Sequence, residues 1–290
     1  MAISTFTIAP DNSQAPWNNL WKALSQAFAA VGMTQTADTG QVDWNVLQTV
    51  PAANTWATPG IYEMWRFASG TLQTEMPIFI RVQYGVTSGP AIRISIGTGT
   101  DGAGNLTGNI SSVFTMGTAT PTTTTSQCWV SAAANRLQFA LWTNHPTANN
   151  GIAFSVSRSV TSAGVYNSDG VTILGFGNGV KFQQWLPKIT GGSRFPFAGT
   201  TVFISGNPPT GTGNAGVDFG VYPIYPFRGS LDYFDGAAMV VAPTDISLGS
   251  VFSVSIYGVT QNYLVAGNAA SGHPNSNGNT AFTAIGLRYE

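Results

Sequence analysis

The sequence predicts an all-β protein, an antiparallel β-sandwich or jelly roll carrying one N-terminal amphipathic helix. Three observations lead there. Short runs rich in Val, Ile, Thr and aromatic residues recur along the chain between segments rich in Gly, Pro and Asn. Two neighbouring runs alternate apolar and polar residues at period two, and only one stretch, 16–31, carries apolar residues at helical spacing.

The alternating runs lie in 61–108, which reads as a three-stranded antiparallel meander ending in a glycine-rich loop. Successive side chains on a strand point to opposite faces, so Met76, Ile78, Ile80, Val82 and Tyr84 share one face and Phe79, Arg81 and Gln83 the other. The next run repeats this with Ile92, Ile94 and Ile96 set against Arg93 and Ser95. A six-residue link, 85–90, suits a hairpin, and only an even register keeps both isoleucine rows on one side, bringing Arg81 near Arg93 or Ser95. The loop 97–108 is expected to project from the sheet, open to contact with another subunit or a receptor.

The helix is expected over 16–31. Proline suits a first turn, Asn12 and Ser13 stand upstream as caps, and Gly32 is placed to end it. Trp17, Leu20, Trp21, Leu24, Phe28 and Val31 form one stripe, which packs on the β-core or docks into a neighbouring subunit. The chain therefore divides into 1–60, an N-terminal arm and helix, and 61–290, a β-rich domain with a candidate subdivision at the flexible-looking 206–216. Within 61–290, strands are expected at 137–142, 152–159, 171–176, 180–186, 200–205, 237–242, 251–259 and 281–289. Gly177, Asn178 and Gly179 mark a hairpin, and the proline-interrupted 217–227 reads as an edge strand or extended arm.

Charged residues make up 8% of the chain, against about 25% in ordinary globular proteins. A surface so poor in charge points to contact with other copies or other proteins. Net charge is −1 with no basic run, which argues against tracking of nucleic acid or an anionic membrane. The N-terminal MAISTFTIAP lacks the pattern of a secretory signal, and no apolar run approaches the ~20 residues needed to span a bilayer. Cys128 is the sole cysteine and reads as a small buried apolar residue.

Catalytic chemistry is weakly signalled. Gly97-Thr98-Gly99-Thr100-Asp101-Gly102 matches a dinucleotide-binding pattern, but no helix follows to supply the amides and dipole that hold a pyrophosphate, so no cofactor is expected. Asp101 and Asn105 lack a calcium-loop ligand series, His145 and His273 lack metal-ligand spacing, and no metal is assigned. The carboxylate pairs Glu63 and Glu75, and Asp232 and Asp235, keep a glycoside hydrolase among the readings, although each acid suits an arginine partner or a turn. No catalytic residue is assigned. The candidates for interface or receptor contact are Trp17 and Trp21 on the helix, and Tyr222, Tyr225, Phe227, Arg228 and Tyr233, an aromatic group with an arginine.

Taken together, YEMWRF, the run MPIFIRVQYG, the strand and loop AIRISIGTGTDGAGNLTG, the late SVFSVSIYGVTQNYL and the terminal IGLRYE resemble virion structural proteins of tailed bacteriophages. The resemblance implies a non-enzymatic component of a tail, baseplate, fibre or capsid, assembled in the bacterial host cytoplasm. Its partners would be copies of itself and other virion proteins. The alternative is a host-receptor or carbohydrate-binding module, in which exposed Trp and Tyr stack on sugars.

Overall fold

The computed structural model describes residues 2–68, 70–108, 110–111, 113–118, 121–133, 136–142, 152–161, 166–176, 180–185, 220–223, 232–234, 237–241, 251–256, 259–268 and 283–289. The N-terminal part runs β1 (Ala2–Ile8), α1 (Gln14–Ala30), β2 (Thr34–Gln35), β3 (Ile61–Arg66), α2 (Thr71–Glu75), β4 (Phe79–Val86) and β5 (Pro90–Gly97). Short strands β6 (Gly99–Thr100), β7 (Leu106–Thr107) and β8 (Phe114–Gly117) follow. Then come the longer β9 (Ser126–Ala133), β10 (Arg136–Trp142), β11 (Ile152–Thr161), β12 (Tyr166–Phe176) and β13 (Val180–Trp185). The C-terminal part holds β14 (Gly220–Pro223), β15 (Asp232–Phe234), β16 (Ala237–Val241), β17 (Val251–Ile256), β18 (Val259–Asn268) and β19 (Thr283–Arg288).

The strands pair antiparallel, giving an all-β chain with few helices. A first sheet follows the order β2-β3-β4-β5-β8. A larger one follows β1-β9-β10-β11-β12-β13 with β15 beside β11. A third follows β14-β16-β19-β18-β17, and β6 and β7 form a small hairpin.

The first sheet realises the predicted meander. Ile80 faces Ile96, Val82 faces Ile94 and Tyr84 faces Ile92, while Arg81 lies opposite Ser95 on the other face. Two details differ. Pairing continues through Gly85↔Ala91 and Val86↔Pro90, so the turn is 87–89 and shorter than the expected link. The connection from β3 to β4 carries α2, a single helical turn too short to show a stripe.

Helix α1 begins at Gln14, two residues before the expected start. Ser13 stands at the cap position, but its hydroxyl donates to Asp11 Oδ2 at 2.8 Å rather than accepting from the helix. Gly32, at φ +90°, turns the chain out of the helix in a conformation that disfavours side chains. The stripe residues Trp17, Leu20, Trp21, Leu24 and Phe28 are fully buried. They form one core cluster with Ile80, Val82 and Ile94 of the first sheet and Val130, Phe139 and Phe154 of the larger one. The Phe28 ring meets Trp65 at 5.5 Å and Phe154 at 6.3 Å, so the helix touches both sheets.

Strand β9 occupies a stretch to which sequence reasoning assigned no element. It is buried on both faces: Cys128 and Val130 join the core, while Trp129 and Ser131 are covered on the other side, where Trp129 stacks on Tyr289 at 5.5 Å. Gln138 and Ser155 share that second face, fully buried, with Gln138 Nε2 donating to Ser155 Oγ at 3.2 Å. Hairpin β12-β13 and strands β10, β11, β16, β17 and β19 lie where strands were expected, and Pro223 sits in β14, at the end of its sheet's strand order. The expected strand 200–205 lies outside the described residues.

Candidate functional site

A dense polar arrangement is built on the two faces of the first sheet. On β3, the period of two places Ile61, Glu63 and Trp65 on the face that meets α1, so a carboxylate enters an apolar layer. Glu63 is 1% exposed. Its Oε1 accepts from Ser25 Oγ of α1 at 2.6 Å and from Trp44 Nε1 at 2.9 Å; its Oε2 accepts from Trp65 Nε1 at 3.1 Å and from the Tyr84 hydroxyl. Four donors from the helix, the arm and two strands thus converge on one acid, with no cation acting on it among the described residues. Burial raises the Glu63 carboxyl above its ordinary value, and the four hydrogen bonds pull it partly back. Burial also pushes the Tyr84 phenol well up, with the Glu63 carboxylate beside it adding to the shift.

The opposite face is polar and roofed by the arm and the glycine loop. Arg81 Nε donates to Gly104 O at 3.1 Å, its Nη2 donates to Pro59 O, and its guanidinium lies 4.7 Å above the Tyr62 ring. Burial lowers its pKa. Gln83 Nε2 donates to Ala57 O at 2.7 Å. Arg93 stacks over Trp56 at 4.2 Å and donates from Nε to Thr115 Oγ1 at 3.0 Å. Beside these groups a pocket of about 420 Å³ is lined by Pro51, Trp56, Ile61, Gln83 and Tyr84 among others.

The glycine loop does not project from the sheet. It folds as the β6-β7 hairpin and docks back on the arm: Thr39 N donates to Gly102 O at 2.9 Å, Thr100 Oγ1 to Asp38 Oδ2 at 3.1 Å and Gly104 N to Asp38 Oδ1 at 3.2 Å. Asp38 is a buried acid whose hydrogen bonds join the two segments. Asp101 closes the loop internally, accepting from Ala103 N and Asn105 N and from Asn105 Nδ2 at 2.7 Å, and these bonds, that from the Asn105 side chain foremost, hold its carboxyl below the usual range.

Of the sequence-derived contact candidates, Trp17 and Trp21 are buried in the chain's own core instead of standing at the surface, because the helix stripe faces both sheets. Tyr222 lies in β14 and Tyr233 in β15, while Tyr225, Phe227 and Arg228 lie outside the described residues, as do His145, His273 and Asp235. Glu63 and Glu75 occupy different surroundings, the first in the core and the second exposed at the end of α2. Cys128 is buried, which pushes its thiol well up. Among the described residues no group of three His, Cys, Asp or Glu side chains is placed to hold a metal ion, and no helix is long and apolar enough to cross a membrane.

Sequence reasoning missed Ser25, Asp38 and the junction at Glu63. The one available signal was an acid at the middle of the alternating run Ile61, Glu63, Trp65. Chemically, both faces act as cross-links. Each polar side chain ties two segments that are distant in sequence, and Glu63 lies too deep to meet a substrate.

Arg81→Lys tests the outer cross-link. A lysine cannot reproduce the fork that reaches Gly104 and Pro59 together, so the variant loses about 1–2 kcal/mol of stability, measured as a lower urea midpoint at unchanged slope.

No protein-family model matches the chain, and a search of curated proteins finds no relative.

Proposed function

We propose that the chain is a non-enzymatic structural component of a tailed-phage virion, in the tail or tail tip, that assembles with copies of itself and with other virion proteins. The sheets that share a core with α1 are read as the layers of a β-sandwich, the architecture expected for such a part. The observation that carries the proposal is the use made of a scarce supply of charge. With 8% charged residues, and with Glu63, Asp38 and Arg81 among them engaged in internal cross-links, the chain has few charges to set against one another where subunits meet. Its resemblance to virion proteins points the same way.

The test is to purify particles of the phage that encodes the chain, detect the protein by mass spectrometry and locate it in a map of the intact particle. Stoichiometric presence in the tail is the expected result. Absence from particles, together with a monomer at every concentration in sedimentation, overturns the proposal.

A further inference from the structure

Among the described residues the larger sheet ends in an open edge at β1. Among the described residues β1 pairs only with β9, so alternate residues of Ala2–Ile8 direct their N–H and C=O groups away from the sheet. Proteins usually blunt such an edge with a charged side chain, a proline or a bulge. The segment AISTFTI has neither charge nor proline, and its register runs unbroken from Ala2↔Ala132 to Ile8↔Ser126.

The side chains also stop half-covered. Ile3 is 41% exposed, with Thr5 and Thr7 exposed on the same face. On the other face Phe6 and Ile8 pack against the core cluster yet remain only partly buried. Among the described residues no further strand stands beside this edge.

We propose that β1 is an assembly edge that pairs antiparallel with β1 of a second copy about a two-fold axis through Thr5, perpendicular to the sheet. This rests on the self-assembling reading above and assigns it a surface. A two-fold centred on Thr5 uses all seven residues of the strand and keeps the core-facing rows of both copies on the same side. It sets Phe6 opposite Ser4, a large residue against a small one on the core-facing row, and brings Ile8 into register with Ala2. On the outer face Ile3 meets Thr7, and Thr5 meets its own copy. No like charges are brought together, and the two sheets become one continuous sheet across the dimer.

The test uses the full chain. Thr5→Cys is expected to form a covalent dimer under mild oxidation, since the two Thr5 residues face each other across the axis at about 4.5–5.5 Å between Cα atoms and the native Cys128 is fully buried. Ile3→Cys places its two thiols four residues out of register, about 13 Å apart, and is expected not to cross-link with itself. Thr5→Lys, which changes an exposed side chain and is expected to keep the wild-type melting temperature, sets two cations opposite each other and weakens self-association by on the order of threefold to tenfold in sedimentation equilibrium. Self-association unchanged in Thr5→Lys, with no cross-link in Thr5→Cys, overturns this edge while leaving the assembly reading in place. A wild-type monomer at every concentration, with no cross-link, overturns the edge, and the assembly reading is then judged by the particle experiment. Cross-linking of Ile3→Cys as efficient as that of Thr5→Cys overturns the register, and capture of a different virion protein by Thr5→Cys overturns the homotypic pairing.

Discussion

Gly104→Ala is expected to destabilise the protein by about 2–5 kcal/mol, combining left-handed backbone strain with overpacking. Gly104 adopts φ +87°, and a Cβ built there would fall 2.0 Å from the Tyr62 hydroxyl oxygen and 2.3 Å from its Cζ. Tyr62 cannot step aside cheaply. It is fully buried, its hydroxyl donates to Thr39 O at 2.6 Å, and Arg81 covers its ring. Gly102 supplies the control, because it shares the left-handed conformation at φ +78° with no atom within 4 Å of its Cβ position. Gly102→Ala should therefore cost only the backbone strain, about 1–2 kcal/mol. Equal urea midpoints for the two variants would refute the idea that the loop is held by close approach to Tyr62.

Glu63→Ala should cost about 3–5 kcal/mol, because the indole N–H groups of Trp44 and Trp65 lose their acceptor inside the core and have no alternative role as acceptors themselves. Glu63→Gln is expected to be milder. Its amide oxygen serves one side of the junction and Tyr84 can turn its hydroxyl to accept, leaving chiefly Trp65 without a partner.

The same residue has a pH signature. Burial raises the Glu63 carboxyl above the ordinary 4.5, so the folded chain holds this proton more tightly than the unfolded chain. Its contribution is fully present below pH 4.5 and is lost as pH rises from there through the folded value. Asp11 and Asp101 have lowered values and work in the opposite sense, so the wild-type curve alone mixes the effects. The difference between wild type and Glu63→Gln, measured by urea unfolding across this range, isolates the acid. It should fall as pH rises, and a flat or rising difference would contradict the burial argument.

Much of this architecture is legible in the sequence where the two faces of an element differ in polarity, whether or not the polar face is wet. Ile80, Val82, Ile92 and Ile94 alternate with polar neighbours, so their register followed from pattern, and Arg81 came to rest opposite Ser95. The Trp17 to Phe28 stripe marked α1 for the same reason. Strand β9 escaped because apolar Trp129 on its second face is as buried as Cys128 and Val130 on the first, so the run lacks the polar alternation that marks β4 and β5. The glycine loop was misjudged because composition reports freedom of the backbone, while Asp38 and Tyr62, 66 and 42 positions away from Gly104, decide where that backbone docks. Glu63 was visible as an acid, but its donors Ser25, Trp44 and Tyr84 come from three separate segments that only the fold assembles.

Strand β4 is held from both sides by the segment that precedes β3. Trp17 Nε1 donates to Gly85 O at 3.1 Å across 68 positions, and Trp56 lies so close above Gly85 that an added Cβ would meet its ring at 2.7 Å. During synthesis the ribosome delivers both tryptophans before the strand they grip, and Phe28 waits until Phe154 has emerged before its far side is covered. The amphipathic helix therefore emerges before either sheet that covers its apolar stripe is complete, the first sheet closing over Trp21 and Phe28 through Tyr84 and Trp65 and the larger sheet following with Phe154. A holdase that recognises apolar helix faces is expected to bind nascent chains stalled before β4 has emerged and to release those stalled after β5, once the first sheet can cover the stripe.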